Sequence, residues 1–277
     1  MTALVQSDIR AFNQPATPID TECLRAGAGE PLLLLHGVTG SAAMWRRVMP
    51  LLAPHQDVIA FTALGHRGGP RASERPARIA HIVDDVERRI DALGFERLHL
   101  AGNSMGGWVA LELARRGRAS SVCALSPAGL WHGRDSKAVG VLRSVVRRAR
   151  AARPFMPLLT RLPAVRSIAL RESACHGERV TRRELLDLID DLLGCTVCED
   201  LFDTPEQLAP LSASCPITIA WAGEDRVFPR AEYDKRVREL VPDAQYVVLE
   251  GLGHVAMLDD PRRVADTILA AIARTKH

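Results

Sequence analysis

The sequence has 277 residues, of which 47% are hydrophobic and 25% are charged, and its formal net charge is +3 at pH 7. These values match an ordinary globular protein and exclude a disordered or fibrous one, and the length allows one large domain or one domain with an insertion. The small net charge and the aromatic content of 4% argue against a nucleic-acid partner.

The compartment is predicted from the N-terminal segment and the cysteines. No stretch reaches the roughly 18 consecutive apolar residues that a membrane-spanning helix needs. Segment 1–15 contains Asp8 and Arg10 and lacks the apolar run of a secretory signal. Cys195 and Cys198 form a C-x-x-C pair, but no second pair or nearby histidine pair completes a zinc site. We therefore expect packed free thiols, no bound metal and a cytoplasmic location.

Short apolar segments in the first half of the chain predict a buried parallel sheet. Residues 31–37 read P-L-L-L-L-H-G, which is typical of a strand that is buried on both faces. Helical and strand patterns then alternate at 41–53 (helix), 57–64 (strand), 78–93 (helix), 98–102 (strand), 104–116 (helix) and 121–125 (strand). This alternation predicts an α/β fold with a doubly wound, mostly parallel sheet.

After residue 127 the pattern changes to a mostly helical region that lasts until about Ser214. The alternation then resumes with a strand at 217–222, a helix at 230–240, a strand at 245–249 and a helix at 261–273. We therefore predict one α/β core that is interrupted by a helical cap, with core segments 1–128 and 215–277 and the cap at 129–214.

A candidate nucleophile lies where a predicted strand turns into a helix. The segment Gly102-Asn103-Ser104-Met105-Gly106 matches G-x-S-x-G. A tight strand-to-helix turn pushes the serine hydroxyl out above the sheet, and the glycines let neighbouring backbone approach closely. The helix that follows directs free N–H groups towards a developing oxyanion. Ser104 is the predicted nucleophile, and the Met105 N–H is one predicted oxyanion donor.

A serine hydroxyl needs a base within hydrogen-bond reach. His254 lies in G-L-G-H-V after the last predicted strand, where it reaches the carboxyl edge of the sheet. Asp225 follows another strand in G-E-D-R-V-F and completes the chain order Ser, Asp, His. We predict His254 as general base and Asp225 as the carboxylate that orients it. The alternatives are an ordinary loop histidine, a surface salt bridge of Asp225, and Glu224 as the orienting acid.

The loop after the first strong strand is the candidate for a second oxyanion donor. It reads His36-Gly37-Val38-Thr39-Gly40. We assign the second donor to the Val38 N–H, beside the Met105 N–H. His36 itself is expected to support the turn rather than to transfer protons.

Together these segments resemble the α/β-hydrolase superfamily over essentially the entire chain. The resemblance rests on H-G-V-T-G, A-L-G-H-R-G-G, G-N-S-M-G-G, W-A-G-E-D-R-V-F-P and G-H-V-A-M-L-D-D-P, in that order. It implies a Ser/Asp/His enzyme with no cofactor and no metal, and a cap that helps form the substrate pocket. Because Ser104 occupies the nucleophile position, the aspartate-dependent haloalkane dehalogenase and epoxide hydrolase branches are disfavoured.

The expected reaction is hydrolysis of a carboxylic ester, thioester or lactone of a small molecule through an acyl-enzyme. G-N-S-M-G-G is also similar to carbon–carbon bond hydrolases of ring-fission products, which provide the alternative enzyme. That branch typically has a tryptophan after the catalytic histidine, where this chain has Val255. A non-catalytic small-molecule-binding protein on the same fold is the alternative of another class. The sequence leaves the oligomeric state open.

The predicted cap is strongly basic. Segment 131–183 contains 13 Lys and Arg residues but only Asp135, Glu172 and Glu178 as acids. One interpretation is a solvated outer face of the cap helices. The other is a surface that attracts an anionic substrate or contacts an anionic membrane, without membrane insertion.

Overall fold

The structure is a computed structural model that describes residues 22–130, 137–212 and 214–276. Segment 1–15, Arg134 and Asp135, on which parts of the sequence predictions rest, lie outside these residues. The described strands form one sheet in the order β1-β3-β2-β4-β5-β6-β7. They are β1 (Cys23–Gly27), β2 (Pro31–Leu35), β3 (Asp57–Phe61), β4 (Leu98–Asn103), β5 (Ala119–Leu125), β6 (Ile217–Ala222) and β7 (Gln245–Leu249). Only β1 pairs antiparallel with its neighbour among these strands, so the predicted mostly parallel sheet is confirmed.

Helices connect the strands and form the insertion. The α-helices are α1 (Met49–Leu52), α2 (Ile79–Ala92), α3 (Met105–Arg115), α4 (Lys137–Ala152), α5 (Met156–Leu159), α6 (Pro163–Leu170), α7 (Arg182–Gly194), α8 (Cys198–Phe202), α9 (Arg230–Leu240), α10 (Ala256–Asp259) and α11 (Pro261–Ala273). Short 3₁₀ helices lie at Ala42–Trp45, Gly177–Arg179 and Arg274–Lys276. Helices α4–α8 form the helical insert between β5 and β6, as the sequence predicted. None of the helices within the described ranges is both long and apolar enough to cross a membrane.

Apolar residues cover both faces of the sheet. Leu33 and Leu35 of β2 belong to a buried cluster that includes residues of α2, α3 and α9. Leu32 and Leu34 belong to a second cluster, with residues of α1, α10 and α11. Because successive side chains of a strand point to opposite faces, a strand covered on both faces must be apolar throughout. Each fully buried leucine contributes about 1.5–3 kcal/mol to folding.

Two local predictions differ from the structure. The helix predicted at 41–53 is divided into the 3₁₀ helix Ala42–Trp45 and α1. Pro50 lies in the first turn of α1, and its lack of an N–H prevents a continuous helical hydrogen-bond ladder through this point. Strand β1 was not predicted, because its alternating exposed and half-buried residues form no apolar run. Arg25 of β1 instead donates two hydrogen bonds to the Asp57 carboxylate, at 2.8 and 2.5 Å.

Charged hydrogen bonds attach helix α7 of the insert to the core. The Asp191 carboxylate accepts from Ser41 Oγ at 2.6 Å and from the Arg67 guanidinium at 2.7 Å. The Arg47 guanidinium donates to both carboxylate oxygens of Glu184, at 2.6 and 2.5 Å. Such two-point contacts fix geometry as well as distance. They hold the insert over the carboxyl edge of the sheet, where the predicted site residues lie.

Candidate active site

Ser104 lies in a sharp turn between β4 and α3. Its backbone has φ 56° and ψ −117°, a conformation that L residues rarely adopt and that costs about 1–3 kcal/mol. A Cβ atom added to Gly102 would lie 2.2 Å from the Gly106 carbonyl oxygen, and one added to Gly106 would lie 2.2 Å from the Leu35 carbonyl oxygen. Only glycine therefore fits at these two positions, which explains the G-x-S-x-G spacing.

Backbone hydrogen bonds stabilise this strained turn. The Ser104 N–H donates to the Leu125 carbonyl at 2.9 Å. The Ser104 carbonyl accepts from the N–H groups of Trp108 and Ala128, at 3.1 and 3.0 Å. The serine is thus fixed from β5, from α3 and from the segment after β5, which limits how far its hydroxyl can move.

His254 and Asp225 are brought together after strands β7 and β6. His254 Nδ1 lies 2.7 Å from Asp225 Oδ2, and both side chains are buried. The other carboxylate oxygen of Asp225 accepts from the N–H groups of Val227 and Phe228, at 2.9 and 2.7 Å. The Phe228 ring also packs edge-to-face on the imidazole, with ring centroids 4.9 Å apart. Asp225 and its neighbours therefore fix the orientation of the His254 ring.

The competing acid, Glu224, is not part of this arrangement. Its residue is exposed, and its N–H donates to the Leu252 carbonyl at 2.9 Å. Of these two adjacent acids, Asp225 makes the hydrogen bond to His254. The alternative of Asp225 as a surface salt bridge does not fit its burial either.

The loop after β2 approaches Ser104 closely. A Cβ atom added to Gly37 would lie 3.2 Å from the Ser104 Cβ. Val38 and Met105 line, together with Ser104, a small cavity of about 30 Å³. No hydrogen bond in the described turns and loops uses the Val38 or Met105 N–H. The backbone N–H groups of Val38 and Met105 are therefore without a partner in the described turns and loops, and both residues lie beside Ser104.

His36 supports this loop from within the core. Its Nδ1–H donates to the Gly37 carbonyl at 2.7 Å, and its Nε2 accepts from the Ala63 N–H at 2.9 Å. Burial, together with the adjacent His66, lowers the pKa of His36 to about 3. A neutral ring with both nitrogens occupied suits the expected structural role, not proton transfer.

Ser104 and His254 line one large cavity of about 480 Å³. The polar part of its lining consists of these two residues, Asn103, the loop after β2 and, on the insert, Arg148, Arg171, Glu172 and Ser173. Helices α4–α7 contribute most of the remaining wall, which is largely apolar: Leu142, Val145, Ala149, Ala152, Met156, Leu159, Val165, Ile168, Ala169, Leu170, Leu185, Leu188, Ile189 and Leu192. Ser104 and His254 therefore share a largely apolar cavity to which the insert contributes most of the wall.

Asp259 is a residue that the sequence analysis missed. Its buried carboxylate accepts from the Gly253 N–H at 2.8 Å, and from the N–H groups of Cys175 and His176 at 3.0 and 2.7 Å. It therefore links the loop that carries His254 to the insert. The sequence signal for Asp259 is the D-D-P segment, in which two aspartates precede a proline. Asp260 caps α11 by accepting from the Arg263 N–H, so Asp259 is not needed as the helix cap.

The thiols of Cys195 and Cys198 are free and buried near the loop after β2. A hydrogen bond between them lowers the pKa of Cys198 and raises that of Cys195. In the described part of the chain, no three His, Cys, Asp or Glu side chains gather where they could hold a metal ion.

Comparisons with known proteins place this chain in a family. The α/β hydrolase family model matches residues 32–267. Epoxide hydrolase EphH of Mycobacterium tuberculosis is 33% identical over 205 residues, which cover 70% of this chain and 94% of that protein. Monoacylglycerol lipase ABHD6 of Homo sapiens is 25% identical over 264 residues, with coverages of 90% and 77%.

The fold has solved counterparts as well. The meta-cleavage product hydrolase of Pseudomonas fluorescens superposes with a TM-score of 0.71 at 22% identity, over 91% of this chain and 93% of that one. At this level of identity the likeness concerns the fold alone. The family match spans both halves of the α/β core and the insert between them. The chain belongs to the α/β hydrolase family.

Proposed function

We propose that this protein is a serine hydrolase that cleaves a carboxylic ester, thioester or lactone of a small molecule through an acyl-enzyme on Ser104. The observation that most supports this proposal is the buried 2.7 Å contact between Asp225 and His254, whose ring lines the same cavity as Ser104. A strained serine, an oriented histidine and two nearby backbone donors are the parts that acyl transfer requires.

In the proposed reaction, Ser104 Oγ attacks the carbonyl carbon while His254 Nε2 takes the hydroxyl proton. The N–H groups of Val38 and Met105 stabilise the oxyanion. When the tetrahedral intermediate collapses, the bond to the leaving alcohol or thiol breaks and the imidazolium returns the proton to that group. Water, activated by His254, then attacks the acyl-enzyme and releases the acid. Asp225 stabilises the imidazolium that forms in each half-reaction.

The cavity favours a substrate with a substantial apolar part. Its volume of about 480 Å³ falls within the range of small-molecule sites. Its wall is largely apolar away from Ser104. Binding of an aliphatic or alicyclic group there would therefore be favoured by about 25 cal/mol of free energy per Å² of apolar surface removed from water. The monoacylglycerol lipase named among the relatives acts on an ester with such a group, which is consistent with this substrate class.

Epoxide opening is the competing chemistry, since one relative is named an epoxide hydrolase. Attack of a serine oxygen on an epoxide carbon would form an ether, and a water activated by His254 has no carbonyl carbon to attack in an ether. A carboxylate nucleophile would form a hydrolysable ester instead. With Ser104 as nucleophile, an acyl substrate completes the catalytic cycle and an epoxide does not.

An active-site probe and a substrate panel test the proposal. A fluorophosphonate should label wild-type protein on the peptide that contains Ser104, and should not label Ser104→Ala. Ser173→Ala is the matched control for labelling, because Ser173 lines the same cavity. The panel should contain esters of increasing acyl length, a thioester, a lactone, an epoxide and a vinylogous diketone. Turnover of only the epoxide or only the diketone would overturn the ester assignment, and absence of both labelling and turnover would favour a binding protein.

A further inference from the structure

The insert exposes a cluster of large apolar side chains. Six large apolar residues are exposed in the described ranges, and five of them lie within segment 155–168 around helices α5 and α6. We call these five the α5–α6 patch: Phe155, Leu158, Leu159, Leu162 and Ile168, with exposed fractions from 41% to 66%. Single exposed leucines are ordinary, but a contiguous apolar group on a surface marks an interaction site.

The patch continues into the cavity that contains Ser104. Leu159 and Ile168 belong to the patch and also line this cavity. These two residues therefore form the rim of the cavity, with one part in solvent and another facing inward. The patch and the cavity wall are therefore continuous through these two apolar side chains.

The surroundings of the patch are positively charged. Segment 137–171 contains nine Lys and Arg residues and no Asp or Glu. Arg161 lies between Leu159 and Leu162 and is exposed. The guanidiniums of Arg166 and Arg182 donate to backbone carbonyls, which do not neutralise their charge. Five of the nine cations pair with acids from outside the segment: Lys137, Arg143, Arg148, Arg153 and Arg171. The other four form no ion pair within the described residues: Arg147, Arg150, Arg161 and Arg166. The patch is thus rimmed by cations in excess.

We propose that the α5–α6 patch binds the surface of an anionic lipid bilayer and places the cavity entrance against the lipid chains. Apolar side chains with surrounding arginines are the combination by which a protein lies in a membrane interface without spanning it. The apolar groups enter the headgroup and acyl boundary, and the arginines contact lipid phosphates. This interaction goes beyond the proposed function and does not depend on turnover.

A second copy of the chain fits the patch less well. In a two-fold dimer the same surface of both copies would meet. The unpaired arginines of one copy would then face those of the other, which brings like charges together. An anionic lipid surface offers both the apolar layer and the opposite charge.

Vesicle sedimentation tests the proposal. Ser104→Ala protein, used so that no lipid is consumed, should sediment with vesicles of phosphatidylcholine that contain phosphatidylglycerol, and less with phosphatidylcholine alone. Raising NaCl from 0.1 to 1 M shortens the Debye length from about 10 Å to about 3 Å and should weaken binding about tenfold or more. Absence of sedimentation with the anionic vesicles would overturn the proposal.

Variants test the patch itself. The triple variant Phe155→Ser, Leu158→Ser, Leu162→Ser changes exposed residues that do not line the cavity, and it should lose binding to anionic vesicles. Leu93→Ser is the control, because Leu93 is a large apolar residue that is also exposed but lies outside the patch. Unchanged vesicle binding in the triple variant would contradict the proposal. The proposal would also be contradicted if the wild-type protein formed a concentration-dependent dimer and did not bind vesicles, and if the triple variant did not form that dimer.

A further measurement avoids dependence on the stability of the triple variant. Phe155→Trp should gain fluorescence that brominated lipids quench, compared with the wild-type protein, and lack of extra quenching would contradict insertion of this residue. The triple variant should also hydrolyse a long-chain ester in vesicles at least about tenfold more slowly, while its rate on a water-soluble short-chain ester stays unchanged. Vesicle binding without hydrolysis of any ester would refute the proposed function alone.

Discussion

The Asn103 side chain donates a hydrogen bond from Nδ2 to the backbone oxygen of His254, at 2.8 Å. The same amide donates to the Leu125 carbonyl at 3.2 Å. The residue before the nucleophile therefore connects the turn that carries Ser104 to the loop that carries His254. This connection fixes the relative position of the two groups that exchange a proton in the proposed mechanism.

Asn103→Leu should lower kcat by about 10- to 100-fold, because small displacements of reacting groups have large effects on rate. Labelling of Ser104 by a fluorophosphonate should slow in parallel. Gln56→Leu is the matched control, since it removes a buried amide distant from the cavity. A kcat for Asn103→Leu within twofold of the control would show that this hydrogen bond does not position the pair.

Ser104→Ala and His254→Ala should each reduce kcat by about 10⁴- to 10⁶-fold, and the double variant should be no worse than either, because the hydroxyl and its base act as one unit. Asp225→Asn should lower kcat about 10⁴-fold by disturbing the tautomer and orientation of the imidazole. Steady-state rates on the best ester of the panel provide the measurement. Additive losses in the double variant would argue against a shared role.

Asp259→Asn should destabilise the protein by about 2–3 kcal/mol, because three backbone N–H groups lose a charged acceptor. Loosening of the Gly253 backbone should also lower kcat more than it changes KM. Asp260→Asn serves as the control, because it weakens a single helix cap that is worth about 1 kcal/mol. Denaturant unfolding and steady-state kinetics of both variants provide the measurement. Equal effects of the two substitutions would show that Asp259 does not position the loop that carries His254.

Two buried histidines should make the protein sensitive to acid. Burial lowers the pKa of His66 to about 4 and that of His36 to about 3. The unfolded chain binds protons at these positions below about pH 6.5, whereas the folded chain does not. The contribution of these two histidines to the free energy of unfolding is therefore fully present above pH 6.5. It falls between pH 6.5 and about 4, by about 1.4 kcal/mol per pH unit for each histidine.

His66→Gln should flatten this pH dependence by about half. The exposed His55→Gln should leave it unchanged. Urea unfolding at several pH values between about 4.5 and 7 measures the slope directly. Equal slopes in wild-type and His66→Gln protein would assign the acid sensitivity to other groups.

Local patterns predicted six of the seven described strands and named the candidate site residues. Ser104, Asp225 and His254 each lie in the segment that follows a parallel strand, so the sheet brings them to one edge whatever the details of the insert. The run of leucines in β2 likewise predicted a strand that is covered on both faces.

Contacts between distant segments could not be predicted in this way. Asn103 meets the His254 backbone across 151 positions of sequence, and Asp259 meets Cys175 across 84. No local periodicity encodes such pairs, since they depend on how the insert packs on the core. The α5–α6 patch could not be predicted from local patterns either. The sequence of α5 and α6 does not indicate which apolar residues remain exposed and which line the cavity.

The last prediction concerns charge at the cavity wall. Glu172 lines the cavity together with Arg148 and Arg171, and its carboxylate lies 3.6 Å from the Arg148 guanidinium and 3.1 Å from that of Arg171. In this arrangement one anion offsets two cations. Removing the anion leaves the wall with more positive charge and leaves its size almost unchanged.

Glu172→Gln should therefore raise kcat/KM for an ester that carries a carboxylate, by about two- to sixfold for charges roughly 8 Å apart in a high-dielectric site. The rate for a neutral ester of the same shape should change by less than about twofold, because it has no charge to be attracted. High salt should remove the gain for the anionic ester, since exposed charges are then screened. Arg171→Gln provides the opposite control and should lower the rate for the anionic ester alone. Equal changes for both esters would mean that Glu172 shapes the wall and does not govern its selectivity for charge.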